Sequence, residues 1–356
     1  MKKIMIWIVI LGIVVGGATV KTKVLEDLQL VTIYGYDYAG KNKIRGIVST
    51  PVIPTTENTP PGSKILGVDA HTSKNSRQLL QSVSPKPLVI GRLNTALYSD
   101  KIAKKGLFRL LDTLIRDPSL GRSLMLAVVK GSVEDLLSEK YTMTETSSMY
   151  VSELMKNNNQ SVIPKTSLHS FLNDYFEKGR DPFLPLLEKG TDLIRMKGIA
   201  FFKQDRYIWE LPYAECFVFK MLYENFKNGM YEYKADGDYV TLENLQSKVH
   251  YHISADNKQV TIHVSLKGKL LDASGHQLAS SKSIPDLEKT LSRVLIKKAA
   301  RLENKFKKLN IDPLGIGDKA RSKERHFNFE EWNKQYKNIT FKNDVKVEIT
   351  QSGAVD

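Results

Sequence analysis

His250, His252 and His263 come nearest, in residue type and spacing, to a chemical site. Residues two apart on a strand share a face, so His250 and His252 point together, and an antiparallel return through residues 259–271 brings His263 towards them. Three imidazoles can hold zinc, but no carboxylate or cysteine stands beside them in the sequence. Such histidines ordinarily occupy the solvated face of a sheet, so no metal is expected. Cys216 is the single cysteine, which excludes an intrachain disulfide. It falls in the helical stretch 213–225 with Phe217, Met221 and Leu222 on the apolar side, and a buried packing role is expected. Gly315–Ile316–Gly317 is a lone glycine pair, read as a turn in which glycine accepts positive φ. No GxSxG elbow, HExxH pair or GxxxxGK[ST] loop occurs, and neither a cofactor nor an enzymatic activity is expected.

The elements that must position these residues follow from periodicity. Residues 28–38 and 43–53 alternate around the turn 39–42 and predict a β-hairpin, followed by a proline-bearing loop at 54–62. A strand at 64–70 and a helix at 73–82, opened by a capping serine, come next. The run 87–93 predicts a strand and 95–116 a helix that stops before Pro118. A buried strand at 124–129 and helices at 133–140, 146–160 and 167–179 complete the first half, with an exposed break at Asn157–Gln160. Asp181–Pro182 and Leu184–Pro185 mark an inter-domain joint, where proline and polar residues cluster. The second half predicts strands at 193–203 and 206–211, the Cys216 helix, strands at 247–254 and 259–271, a long helix at 284–309 and a last strand at 345–349. Leu287, Leu291, Val294, Leu295, Leu302, Phe306 and Leu309 give the long helix its apolar stripe. The fold class is α+β with two to three domains: 1–20 as signal or anchor, an N-terminal α/β region at 21–185 and a C-terminal α/β domain at 190–356.

Charge and the N-terminus bound the setting. The chain carries 53 Lys and Arg against 39 Asp and Glu, a net +14. Thirteen basic and six acidic residues lie between Lys282 and Arg325, so half of the excess sits on the long helix and just after it. Such a segment is either a solvated helix face or a surface for anionic lipid or an acidic partner. No aromatic-interleaved basic module is present, and nucleic acid is not an expected partner. Lys2 and Lys3 precede the uncharged stretch Ile4–Val20, the pattern of an export signal. As a helix that stretch reaches about 25 Å, at the short limit for spanning a bilayer. Gly16 and Ala18 also fit cleavage after Ala18, so anchor and cleaved signal both remain open.

Several segments taken in order resemble one family. Glu26–Asp27–Leu28–Gln29–Leu30–Val31, Ala103–Lys104–Lys105–Gly106–Leu107, Leu111–Asp112, Ile115–Arg116–Asp117–Pro118, Leu184–Pro185, Gly198–Ile199–Ala200–Phe201–Phe202–Lys203 and Asp312–Pro313–Leu314–Gly315–Ile316–Gly317, with Trp332 after it, are similar to the Ger(x)C or GerAC family. Its members are the C subunits of bacterial spore germinant receptors. The resemblance implies a three-domain, mixed α and β, non-catalytic protein on the outer face of the spore inner membrane, working with receptor A and B subunits. Family members usually carry a lipid on a cysteine at the end of the signal. Here Thr19 holds that place, and a hydroxyl cannot form the thioether. The expectation is that Ile4–Val20 is retained as the anchor, keeping the domain at high effective concentration beside its partners. The alternative role is an exported binding protein that captures the germinant itself.

Overall fold

The computed structural model describes residues 27–52, 62–121, 123–138, 145–235, 238–273 and 284–352. The expectations for residues 1–20, Thr19 among them, and for most of the 54–62 loop lie outside these. Among the described residues, no helix is long and apolar enough to cross a membrane.

An eight-stranded sheet forms the centre. Its strands are β2 (Ile33–Tyr38), β3 (Ile44–Val52), β4 (Gly62–Ala70), β6 (Thr95–Ser99), β7 (Met125–Lys130), β8 (Phe183–Lys189), β9 (Ile194–Lys203) and β10 (Arg206–Pro212). They lie in the order β10-β9-β8-β7-β6-β2-β3-β4. The middle strands β8, β7, β6 and β2 are parallel, and antiparallel hairpins flank them on both sides. Two residues each from β1 (Gln29–Leu30) and β5 (Leu88–Val89) pair separately.

Both faces of this sheet are covered, as parallel strands require. On one side, α1 (Ser73–Val83), α2 (Asp100–Ala103), α3 (Phe108–Ile115) and α6 (Leu168–Phe176) bury Leu80, Ile102, Leu111 and Phe171 against Tyr36, Tyr98, Val128 and Phe202. On the other, α4 (Val133–Ser138), α5 (Ser147–Gln160), α7 (Tyr213–Tyr223) and α8 (Ile284–Leu309) cover it. A second sheet then packs beyond α7 and α8, in the order β11 (Met230–Ala235), β12 (Asp238–Ile253), β13 (Gln259–Ala273) and β14 (Thr340–Ser352). The helix α8 keeps the bounds that its apolar stripe predicts, and Phe306 from it stands 5.2 Å from Phe201 of β9, ring to ring. The architecture is α+β, as the sequence indicates.

Local differences from the sequence reading have identifiable causes. The run Thr95–Ser99 is a strand and not the start of a helix; every residue in it is buried, and a short apolar run has no period that separates the two. Gly106, at φ +112°, then divides the expected helix into α2 and α3. The predicted strand at 87–93 shrinks to β5. Thr72, not a serine, caps α1 by accepting from the Asn75 N–H. Asn157–Gln160 form the last turn of α5 and make no break. Leu184 and Pro185 lie inside β8, between β7 and β9, in the central sheet. The strand β11 and the first half of β12 had no counterpart in the reading.

Candidate functional site

The segment with the densest buried chemistry is where the exit of α6 meets the chain after α8. The link 177–182 carries Gly179 and then Arg180–Asp181–Pro182, a second Arg-Asp-Pro tripeptide like the one at 116–118. Asp181 accepts from the Asp312 N–H at 2.8 Å and from the Gln204 N–H at 3.2 Å, while the Lys203 ammonium lies 3.2 Å away. The Asp181 N–H in turn donates to the Asp312 carbonyl at 3.0 Å. Asp312 turns its carboxylate onto the N–H groups of Ile316, at 3.0 Å, and Gly317, at 2.7 Å, which opens the short helix α9 (Ile316–Arg321). Gly315 takes φ +64° there, so the expected positive φ is present, but at the start of a helix.

Gly317 serves a different purpose. A β-carbon on it would come within 2.6 Å of the Trp332 indole nitrogen and 2.8 Å of the Gly179 Cα. Gly179, at φ +81°, is equally closed, because a β-carbon there would meet the Gly317 backbone at 2.6 Å. The two glycines let two stretches of main chain touch, and the Gly179 carbonyl accepts from the Asp318 N–H at 3.2 Å. Trp332, on α10 (Phe329–Gln335), closes the contact from the other side, and Tyr336 donates to the Ile311 carbonyl at 2.8 Å. Arg180 reaches Asp318 at 2.8 Å and Asp174 at 3.4 Å.

The electrostatics are those of a buried clasp. Burial pushes the Asp312 carboxyl up to about 6, against the two N–H groups that favour its charged form. Burial raises Asp181 as well, with Lys203 opposing. Asp174 rises to about 6 for the same reason, with Arg180 pulling it back. At Asp318 burial acts upward too, but Arg321 and Arg180 outweigh it and hold the carboxyl below its usual range.

The sequence-predicted candidates fall elsewhere. His250 and His263 face one another across β12 and β13, while His252 lies opposite Thr261. The neighbour that His263 does find is Asp344 of β14, 2.9 Å from its Nδ1. All three rings are on the exposed face, with Ile253, Ile262 and Val264 buried on the other, and among the described residues no three potential metal ligands converge. Cys216 is fully buried, its thiol 3.4 Å from the Pro212 carbonyl, and burial pushes its pKa up, away from the reactive thiolate. The Arg116–Asp117–Pro118 stretch closes a surface turn, where Asp117 holds Arg77 at 2.8 Å. The tripeptide that enters the clasp is its repeat at 180–182, and the signal for it is the recurrence itself, with a glycine ahead of it.

Glu303 is a further buried carboxylate, on the side of α8 that packs against β14. One oxygen accepts from the Asn343 amide at 2.9 Å and the other has no partner. Burial raises its pKa from 4.5 to about 7. A carboxyl raised on folding contributes full stability below about pH 4.5 and loses it as pH climbs towards 7. Glu303→Gln is therefore expected to raise unfolding free energy by about 2–3 kcal/mol at pH 8 and leave it nearly unchanged at pH 4.5, measured by urea titration at both values.

The clasp joins two regions that match known protein families. Residues 21–189 match the model for the spore germination protein N-terminal domain, and residues 197–353 match "Spore germination B3/GerAC like, C-terminal". The chain belongs to the GerAC-like spore germination family. It is similar to the spore germination protein GerQC of Bacillus cereus, 31% identical with both chains covered in full. The crystal structure of the GerBC protein has the same fold, with a TM-score of 0.60 at 16% identity, covering 89% of this chain and 96% of that one. The boundary between the two GerAC-like regions falls between β8 and β9, which are paired neighbours in one sheet. Asp181 and Asp312 add a further connection between the same two regions.

Proposed function

We propose that this chain is a non-catalytic C subunit of a spore germinant receptor, coupling or scaffolding the membrane A and B subunits during nutrient-triggered germination. The observation that carries this reading is the family match along the whole chain, with its two regions joined both by a shared sheet and by the clasp. A body fastened at several places moves as one piece, and a rigid piece can pass a displacement from one partner to another. The proposed location is the outer face of the spore inner membrane, with Ile4–Val20 as the anchor in place of the lipid that Thr19 cannot accept. Lys289, Arg293, Lys297 and Arg301 lie four residues apart on the exposed side of α8. Like charges at that spacing repel one another, so an anionic lipid surface would relieve them.

Affinity purification of the full chain from detergent-solubilised spore membranes tests the coupling role, with co-purification of the A and B subunits expected. Calorimetry against amino acids, sugars and nucleosides addresses the alternative of direct germinant capture, for which heat of binding without co-purifying subunits is the result expected. Leu11→Asp combined with Val14→Asp is expected to release the chain from the membrane fraction and abolish nutrient germination. Retention of both would remove the anchor from the account, as would a mature N-terminus at Thr19.

A further inference from the structure

A second candidate site is a cavity beside the carboxyl ends of β2 and β6, bordered also by the β9–β10 turn, whose Gln204 N–H reaches the clasp. After β2 the chain turns to β3 on one side of the sheet, whereas after β6 it proceeds to β7 on the other. The crevice where strand order reverses in this way is the place at which open α/β sheets bind ligands. Here it holds about 690 Å³, within the range of small-molecule sites. It is walled by the β2–β3 turn, the start of α1, the α2–α3 link and the β9–β10 turn.

The lining chemistry is one-sided. Lys43, Lys105, Arg109 and Arg206 all border the cavity, and among the described residues none of the four has a carboxylate partner. Of the acids, only Asp205 reaches the wall, and its carboxylate is engaged by the Phe108 N–H at 3.0 Å. The Asp205 carbonyl also accepts from the Leu107 N–H, so the β9–β10 turn that carries Arg206 is fixed to the start of α3, which carries Arg109. The floor is apolar: Tyr38, Ile44, Ile102 and Leu110. The Lys105 ammonium stands 3.8 Å from the centre of the Tyr38 ring, over its face. Four cations above an apolar floor suit a molecule with both a negative charge and a flat or aliphatic body.

The geometry points to a binding site for a small organic anion, one or two carboxylates or a phosphate on an apolar body, held by Arg109, Arg206, Lys105 and Lys43. The site is independent of the coupling reading, because it shares no side chain with the clasp, and its loss leaves co-purification of partner subunits as the separate readout of that role.

Phthalate, an aromatic dicarboxylate, serves as the probe, with inorganic phosphate and neutral benzamide as comparisons. Isothermal titration of the full chain in detergent is expected to show saturable phthalate binding in the submillimolar range, with phosphate about tenfold weaker or more and benzamide silent. Arg109→Ala with Arg206→Ala is expected to weaken phthalate by about tenfold or more. Both side chains are exposed, so the unliganded melting temperature should hold and show that the fold is intact. Lys289→Ala with Arg293→Ala, on α8, should leave phthalate binding unchanged. No phthalate binding at 10 mM, equal affinity for phosphate or benzamide, an unaltered affinity in the double arginine variant, or an equal loss in the α8 variant would each overturn the assignment.

Discussion

Gly317→Ala is expected to lower unfolding free energy by about 3 kcal/mol, although it adds a single methyl group. A side chain that meets only the flexible end of another can be accommodated by a rotamer change. Here the methyl meets the Gly179 Cα at 2.8 Å and the Trp332 ring at 2.6 Å, so main chain or a buried indole has to move. Relief would separate the 177–182 link from α9, and the Gly179–Asp318 hydrogen bond would go with it. Urea denaturation measures the loss, and hydrogen exchange of the peptide 311–321 shows where it falls. A change below about 0.5 kcal/mol, the usual range for surface substitutions, would mean that the glycine contact is looser than its geometry.

Asp312→Ala is expected to cost a similar amount, about 3 kcal/mol, by a different route. The Ile316 and Gly317 N–H groups are buried beneath that carboxylate, and an alanine leaves both without an acceptor. Asp312→Asn keeps one oxygen and removes the buried charge, so about half of the loss should be recovered. The order Asp, then Asn, then Ala in stability is the outcome that supports the clasp. If the Ala and Asn variants are equally stable, the carboxylate is not holding the start of α9. In spores, the same order is expected for nutrient germination if the two regions must move together, because a body with a loosened clasp is more compliant.

How far the sequence reaches is visible in individual elements. The helix α8 could be bounded from sequence because 26 residues of unbroken 3.6-residue period leave one solution. The β2–β3 hairpin followed from alternation around a turn, and the strand pairing that faces His250 with His263 followed from two alternating runs joined by a short turn. In contrast, Thr95–Ser99 is buried on all sides, and its uniform apolarity conceals which element it forms. At Leu184–Pro185 the sequence shows a proline, which reads as an interruption of local structure. The chain instead places that proline within a strand, where Leu186 and Leu187 carry the pairing to β7.

The candidate site divides along the same line. Asp312, Gly317 and Trp332 were recognisable as a family pattern, yet their purpose was not, because Asp312 also bonds Asp181 and Gly317 meets Gly179, each more than a hundred positions away, and Trp332 closes on that contact. Asp181 was in plain view but its partners, Lys203, Gln204 and Asp312, lie more than twenty residues on. The four cations of the switch-point cavity come from three separate segments, and only Lys105 and Arg109 are near one another in sequence.

By itself, the sequence determined the periodic elements, the α+β class and the family, since these depend on residue type and near-neighbour spacing. Only the tertiary structure decided that the two regions share one sheet, that a pair of aspartates fastens them, and that unpaired cations gather at the carboxyl ends of the strands. Those are meetings between distant segments, and they are fixed by which backbone groups must find partners once the core excludes water.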